Sequence, residues 1–183
     1  MAALKGLRRG LDKLLEVVAA LLMVALSLLI IMGFLFRAAG YALSWYDEIA
    51  SIGLCWLTYY AGALAALRGA HIGFPGIVNT LPAGLRLAVT LVAEAIVIFF
   101  FGVLAVTGLE VLQILEGSTL VSLPAVSLQI TQSVIPITAV LFIVAELLRL
   151  PEVIAAARAS GFVDHELQEA LQGAAPAPAA QER

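Results

Sequence analysis

The sequence predicts an all-α integral membrane protein with four transmembrane helices, both termini cytoplasmic, and short interfacial segments between the spans. Three observations carry that expectation. The chain of 183 residues is 62% hydrophobic and 13% charged, with a mean hydropathy of +1.05, outside the range of soluble domains. Four runs with little or no charge, about 14–36, 49–67, 87–109 and 130–148, each approach the ~20 residues a helix needs to cross a bilayer core. Alternating segments of about ten residues, the mark of a membrane β-barrel, do not occur in the sequence. Finally, nine of the ten Lys and Arg residues lie before the first run, between the second and third, or after the fourth, so the positive-inside rule puts both termini in the cytoplasm. The chain thus divides into a basic lead-in (1–13), a four-helix transmembrane domain (14–150) and a cytoplasmic tail (151–183).

The lead-in carries Lys5, Arg8, Arg9 and Lys13 and can rest on anionic headgroups. The run that follows is longer than the 7–15 apolar residues of a signal peptide, so it is read as a span. Glu16 stands three residues after Lys13, on one helix face, and an interfacial ion pair between them is expected. The short link at 37–44 makes the first two helices antiparallel neighbours.

The second span, introduced by Trp45-Tyr46-Asp47-Glu48, is the piece around which the others are arranged. Trp45 and Tyr46 suit the outer interface. Trp56, Tyr59 and Tyr60 lie deeper and need partners for their polar tips. Small residues follow two adjacent lines, Ala61, Ala65, Gly69 and Thr58, Gly62, Ala66, Ala70. Apolar side chains gain little by leaving lipid tails, so membrane helices associate through small residues that let backbones approach. Arg68 and His71 close the span, and His71 is read as a loop or headgroup contact rather than a pH switch. The segment HIGFPGIVNTLP is expected to lie in the cytoplasmic interface.

The third span holds Glu94, the least screened charge in the chain. A carboxylate there must face protein or water, be hydrogen-bonded, or carry a proton. One reading makes it a coupling or gating site; the other makes it an interhelical contact, with Thr90 on its own face or a polar group on a partner. The contact is favoured, because one carboxylate without a ligand set is a poor ion site. The link 110–129 begins acidic and ends in LVSLPAVSLQ, a stretch suited to the outer membrane surface. In the fourth span Pro136 removes a backbone donor, so a kink is expected near Gln132. A short helix is expected after Pro151, a second one capped by Asp164, and disorder in the low-complexity end.

Several function classes are excluded by composition. A net charge of −3 does not suit nucleic-acid binding. The single cysteine, Cys55, allows no disulfide framework and is expected to be a small buried hydrophobe. No glycine-rich nucleotide loop, metal-ligand set or nucleophile–base pair occurs in the sequence, so catalytic, substrate-binding and metal residues are expected to be absent, and the chain is not expected to be an enzyme. No cofactor is expected, though a bound phospholipid is compatible with the composition.

The order of Trp45-x-x-Glu48, Arg68-x-x-His71-Ile72, Leu81-Pro82 with Arg86, and Ile135-Pro136 along four spans resembles the small membrane subunit of tripartite ATP-independent periplasmic (TRAP) transporters. The resemblance covers about 14–150. It departs at Gly73-Phe74-Pro75, where the family often has Val-Asp, and in the outer loop around Ser118-Thr119-Leu120 and Pro124. The resemblance implies a bacterial inner-membrane scaffold subunit bound to a large multi-span transport subunit. A periplasmic substrate-binding protein would deliver an organic anion, such as a dicarboxylate or sugar acid, for sodium-driven symport. Interface or structural candidates are Trp45, Glu48, Gly62, Ala66, Arg68, His71, Glu94 and Pro136. The alternatives are a self-sufficient small channel or carrier using Glu94, and an assembly or signalling protein acting through its tail.

Overall fold

The computed structural model describes residues 2–69 and 78–159, the side chains of 2–5 excepted. His71, the segment around Gly73–Pro75, Asp164 and the Ala/Pro-rich end lie outside the described residues. The named helices are α1 (Ala2–Ala38), α2 (Tyr46–Arg68), α3 (Ala83–Ile114), α4 (Leu128–Gln132) and α5 (Val134–Arg158). Four stretches are long and apolar enough to cross a membrane: Gly6–Ala38, Tyr46–Arg68, Ala83–Ile114 and Leu128–Arg158. Among the described residues the only β-pairing is a single antiparallel bridge between Thr119 and Ser127. The protein is an all-α, multi-pass membrane protein.

The helices outrun the uncharged stretches. Helix formation depends on backbone pairing and continues into water wherever residues of good propensity allow it, whereas charge marks only the edge of the lipid. The chain forms two compact units, one of residues 1–71 with 93–151 and the other of 72–92 with 152–183.

In the first unit α1 and α2 pack against each other after a turn in which the Tyr41 N–H donates to Phe36 O at 2.9 Å. Near this turn the Tyr46 ring occupies the space where a Cβ on Gly33 would stand. Only a residue without a side chain lets α2 begin so close to α1. The core of the unit is Leu15, Ala63, Ala66, Leu67, Phe142 and Ala145, with Val97 and Phe101 of α3 packed on it. Phe101 and Phe142 are stacked, their ring centroids 3.7 Å apart and their planes 12° apart. Away from this core the surface is apolar: Leu21, Leu28, Phe34, Ile96 and Phe99 are all exposed, the inverse of a soluble protein and the arrangement lipid requires. Cys55 is exposed as well, contrary to the expectation of burial. In lipid a small apolar thiol needs no shelter.

The fourth span is interrupted at the place where a kink is expected, as a break rather than a bend. It stops at Gln132 and restarts at Val134, with Ser133 N–H donating to Ile130 O at 3.3 Å. Pro136 therefore sits in the first turn of α5, where the missing N–H has no intrahelical partner to lose. On α3, Gly108 meets this turn: a Cβ there would lie 3.1 Å from Pro136 Cδ. Pro151 stands inside α5, and the short helix expected after it is the continuation of α5 to Arg158.

In the second unit the described residues are 78–92 and 152–159. Arg86, at the start of α3, is buried. Its Nε donates to Ala157 O at 2.7 Å and its Nη2 to Ala159 O at 2.5 Å.

Candidate functional site: polar ties between the helices

A span of Leu, Val and Phe is indifferent to its neighbours in lipid, so the few polar side chains decide which helices are held together. Near the start of α1 and the end of α2, Arg68 bridges the two helices. Its Nε donates to Asp12 Oδ1 at 2.7 Å, and its Nη2 to Asp12 Oδ2 at 3.0 Å and Glu16 Oε2 at 2.8 Å. The guanidinium fork matches the carboxylate in a bidentate pair. Asp12 is a residue of the basic lead-in. Glu16, expected to pair with Lys13, instead has a partner on α2. Arg8 adds a third tie, donating from Nη2 to Leu67 O at 3.2 Å, one of the carbonyls a helix leaves unpaired at its end.

α2 ends at Gly69, in the left-handed conformation at φ 70°, its N–H turned back on Ala65 O and Ala66 O. A Cβ there would lie 2.8 Å from Arg149 Nε, a contact the long arginine side chain can relieve by shifting, so it is the positive φ that demands glycine. Gly69→Ala is expected to cost about 1 kcal/mol or more from backbone strain alone, measurable as a lower melting temperature. Arg68→Ala should cost less, within about 1 kcal/mol, because the pair is largely exposed and screened.

Arg149 leads from this cap to the interior. Its Nη1 lies 3.6 Å from Glu146 Oε2, and the Glu146 side chain is 4% exposed. Glu94 of α3 is a neighbour of this carboxyl, whereas the sequence offers Thr90 or a group on another chain. Glu146 escapes notice in the sequence because it falls near the end of a run that reads as uncharged.

Toward the opposite ends of α1 and α2, Glu48 holds the link between α3 and α4. It accepts hydrogen bonds from the Ser122 hydroxyl, from Ser122 N–H at 3.0 Å and from Val121 N–H at 3.4 Å. The link is further closed by Leu120 N–H donating to Val126 O and Leu128 N–H to Ser118 O, both at 3.0 Å. Leu120 is buried and Val121 exposed, so the segment is a folded loop rather than a strip spread on the membrane. Glu48→Ala should loosen it at neutral pH, seen as faster hydrogen exchange at the Val121 and Ser122 amides.

Trp56, expected to need a partner, donates from Nε1 to Thr131 O at 2.8 Å, and Gln129 Nε2 donates to Leu112 O at 2.8 Å. These bonds serve the frayed region around α4. Of the remaining candidates, Ala66 is fully buried in the core. Nothing lies within 4 Å of a Cβ built on Gly62, so its backbone approaches no other helix of this chain among the described residues. Trp45 precedes α2 and its carbonyl accepts from Ile49 N–H at 3.2 Å. Among the described residues no three His, Cys, Asp or Glu side chains are grouped to hold a metal.

The arrangement brings together Asp12, Glu16 and Arg68, then Glu94, Glu146 and Arg149, and separately Glu48 with its loop. Each set joins elements of the chain to one another. A sequence model of the family described as tripartite ATP-independent periplasmic transporters, DctQ component, matches residues 26–156. No curated protein matches the chain.

Proposed function

Because the chain belongs to the DctQ component family of tripartite ATP-independent periplasmic transporters, we propose that this small transporter subunit acts as a static brace for a large, multi-span transport subunit. The match covers most of the four-span region, and that observation carries the reading. The large subunit would hold the substrate and sodium sites, and a periplasmic binding protein would deliver an organic anion such as a dicarboxylate or sugar acid. Support for a bracing role comes from the polar groups: Arg68, Glu48 and Trp56 all bind within the chain. A self-sufficient carrier built on Glu94 would need that carboxyl turned to a water-filled path.

The proposed topology keeps both termini in the cytoplasm of a bacterial inner membrane. Arg68 and Arg149 then lie on the inner side, and the loop tied by Glu48 lies in the periplasm, where it can meet the binding protein. Residues 1–13 serve as a basic lead-in and 151–183 as a cytoplasmic tail. The exposed apolar faces of α1 and α3 are available to lipid and to the large subunit.

Co-expression with the adjacent large permease tests the reading. A tagged chain should copurify with the permease in mild detergent, and proteoliposomes should need both chains, the binding protein and a sodium gradient for uptake. Recovery of the tagged chain alone, or uptake by this chain without the permease, would refute it.

A further inference from the structure

Two sets of charge share the first turns of α1, and they lie on different faces. Toward α2, Asp12 and Glu16 accept hydrogen bonds from Arg68, and Arg8 donates to Leu67 O, at the negative end of the α2 dipole. Two guanidiniums and two carboxylates leave that set neutral. Arg9 and Lys13 are exposed and, among the described residues, pair with no carboxylate. Four residues apart, they share one helix face with their Cβ atoms about 6 Å from each other. Two uncompensated cations at that spacing attract an anion between them.

The same face continues at four-residue intervals as Val17 and Leu21, with Leu14 beside it, all exposed. Between Lys13 and Arg37 the only charged residue is Glu16, so the edge of the lipid falls near Lys13. α1 runs unbroken from Ala2 to Ala38, and Arg9 therefore stands about 6 Å beyond Lys13 along the helix axis. A headgroup layer is about 5–8 Å thick. The two cations thus span that layer, and the apolar residues below them meet the tails. Cation followed by apolar surface is also the order in which a phospholipid presents its phosphate and its acyl chains. We propose that this face of α1 is a binding site for an anionic phospholipid, its phosphate between Arg9 and Lys13 and its acyl chains along Val17 and Leu21. The guanidinium fork suits two phosphate oxygens, and the ammonium acts as a point charge. The first turns of α1 are then held on both sides, by α2 through Arg8, Asp12 and Glu16 and by lipid through Arg9 and Lys13.

Native mass spectrometry of the full chain, delipidated in mild detergent and titrated with phosphatidylglycerol or phosphatidylcholine, tests the proposal. The first phosphatidylglycerol should bind more tightly than the first phosphatidylcholine. A basic residue at a lipid surface strengthens the attraction of anionic lipid about fivefold. Lys13→Gln should therefore weaken phosphatidylglycerol binding about fivefold, and Arg9→Gln combined with Lys13→Gln about twentyfold, with phosphatidylcholine binding unchanged. Arg37→Gln removes one charge from the far end of the same helix and should bind both lipids as the wild type does. Circular dichroism, with equal helix content in every variant, separates loss of the site from loss of the fold. Equal affinity of the wild-type protein for the two lipids overturns the proposal, as does unchanged phosphatidylglycerol binding in the double variant. A loss in Arg37→Gln as large as that in Lys13→Gln would mean that net charge alone attracts the lipid, and no site exists. Displacement by millimolar inorganic phosphate as readily as by a short-chain phosphatidylglycerol would leave the acyl chains without a role and overturn the lipid assignment.

Discussion

Replacing Phe142 by alanine is expected to destabilise the chain more than truncating any other single apolar side chain. Phe142 is buried and stacked on Phe101 at 3.7 Å, in the cluster where residues of α1, α2, α3 and α5 meet. In a soluble protein such a change costs about 3–5 kcal/mol, part transfer from water and part cavity. The transfer part shrinks here, because separated membrane helices still leave the ring in lipid rather than water. The cavity part remains: about 100 Å³ of lost side chain at roughly 24 cal/mol per Å³ gives about 2 kcal/mol. Phe142→Ala should therefore lower the melting temperature in lipid by several degrees. Phe142→Leu, which fills most of the space, should recover much of the loss. A Phe142→Ala protein that melts with the wild type would mean that the stacked pair contributes nothing to helix association.

Arg86→Ala is the second large effect expected, and it is local. The guanidinium donates to Ala157 O and Ala159 O, carbonyls at and just beyond the end of α5. These are the groups a helix leaves unpaired, at the negative end of its dipole. Hydrogen bonds from a charged donor are each worth about 1.5–3 kcal/mol, so losing both should cost about 3 kcal/mol. That corresponds to roughly a hundredfold rise in the open fraction of this helix end. Tryptic cleavage at Arg158 reads that opening directly and should accelerate accordingly. Arg86→Lys, a point charge without the fork, should restore part of the protection. Equal cleavage rates in wild type and Arg86→Ala would show that the helix end is held by other contacts. In the sequence Arg86 stands out only for its place after Leu81-Pro82 and for its charge. Its task as a cap depends on residues 71 and 73 positions further along the chain, which no local pattern reveals.

The same distinction runs through the whole molecule. Number, order and approximate position of the spans are legible because lipid imposes a one-dimensional rule: about 20 apolar residues cross, and charged residues mark the ends. The family, too, can be read from the order of Trp45, Glu48, Arg68, Arg86 and Pro136 along those spans. Trp56 needs a partner by its chemistry alone, and it has one in Thr131. Pairing is not legible in this way. Glu16 has Arg68 on α2 rather than Lys13 a turn away. Local spacing points to the neighbour on the same helix, whereas packing brings a different helix nearer.

Sequence alone thus determined that this is a four-span membrane protein with little polar equipment, since transfer into lipid is summed residue by residue along the chain. Tertiary structure alone decided what each polar group does. Arg68 became a clasp for α1, Glu48 the anchor of the loop at Val121 and Ser122, and Pro136 the start of a new helix against Gly108. A hydrogen bond or a cavity exists only between atoms brought together in space. In lipid, where apolar packing discriminates weakly between helices, those few meetings specify the bundle.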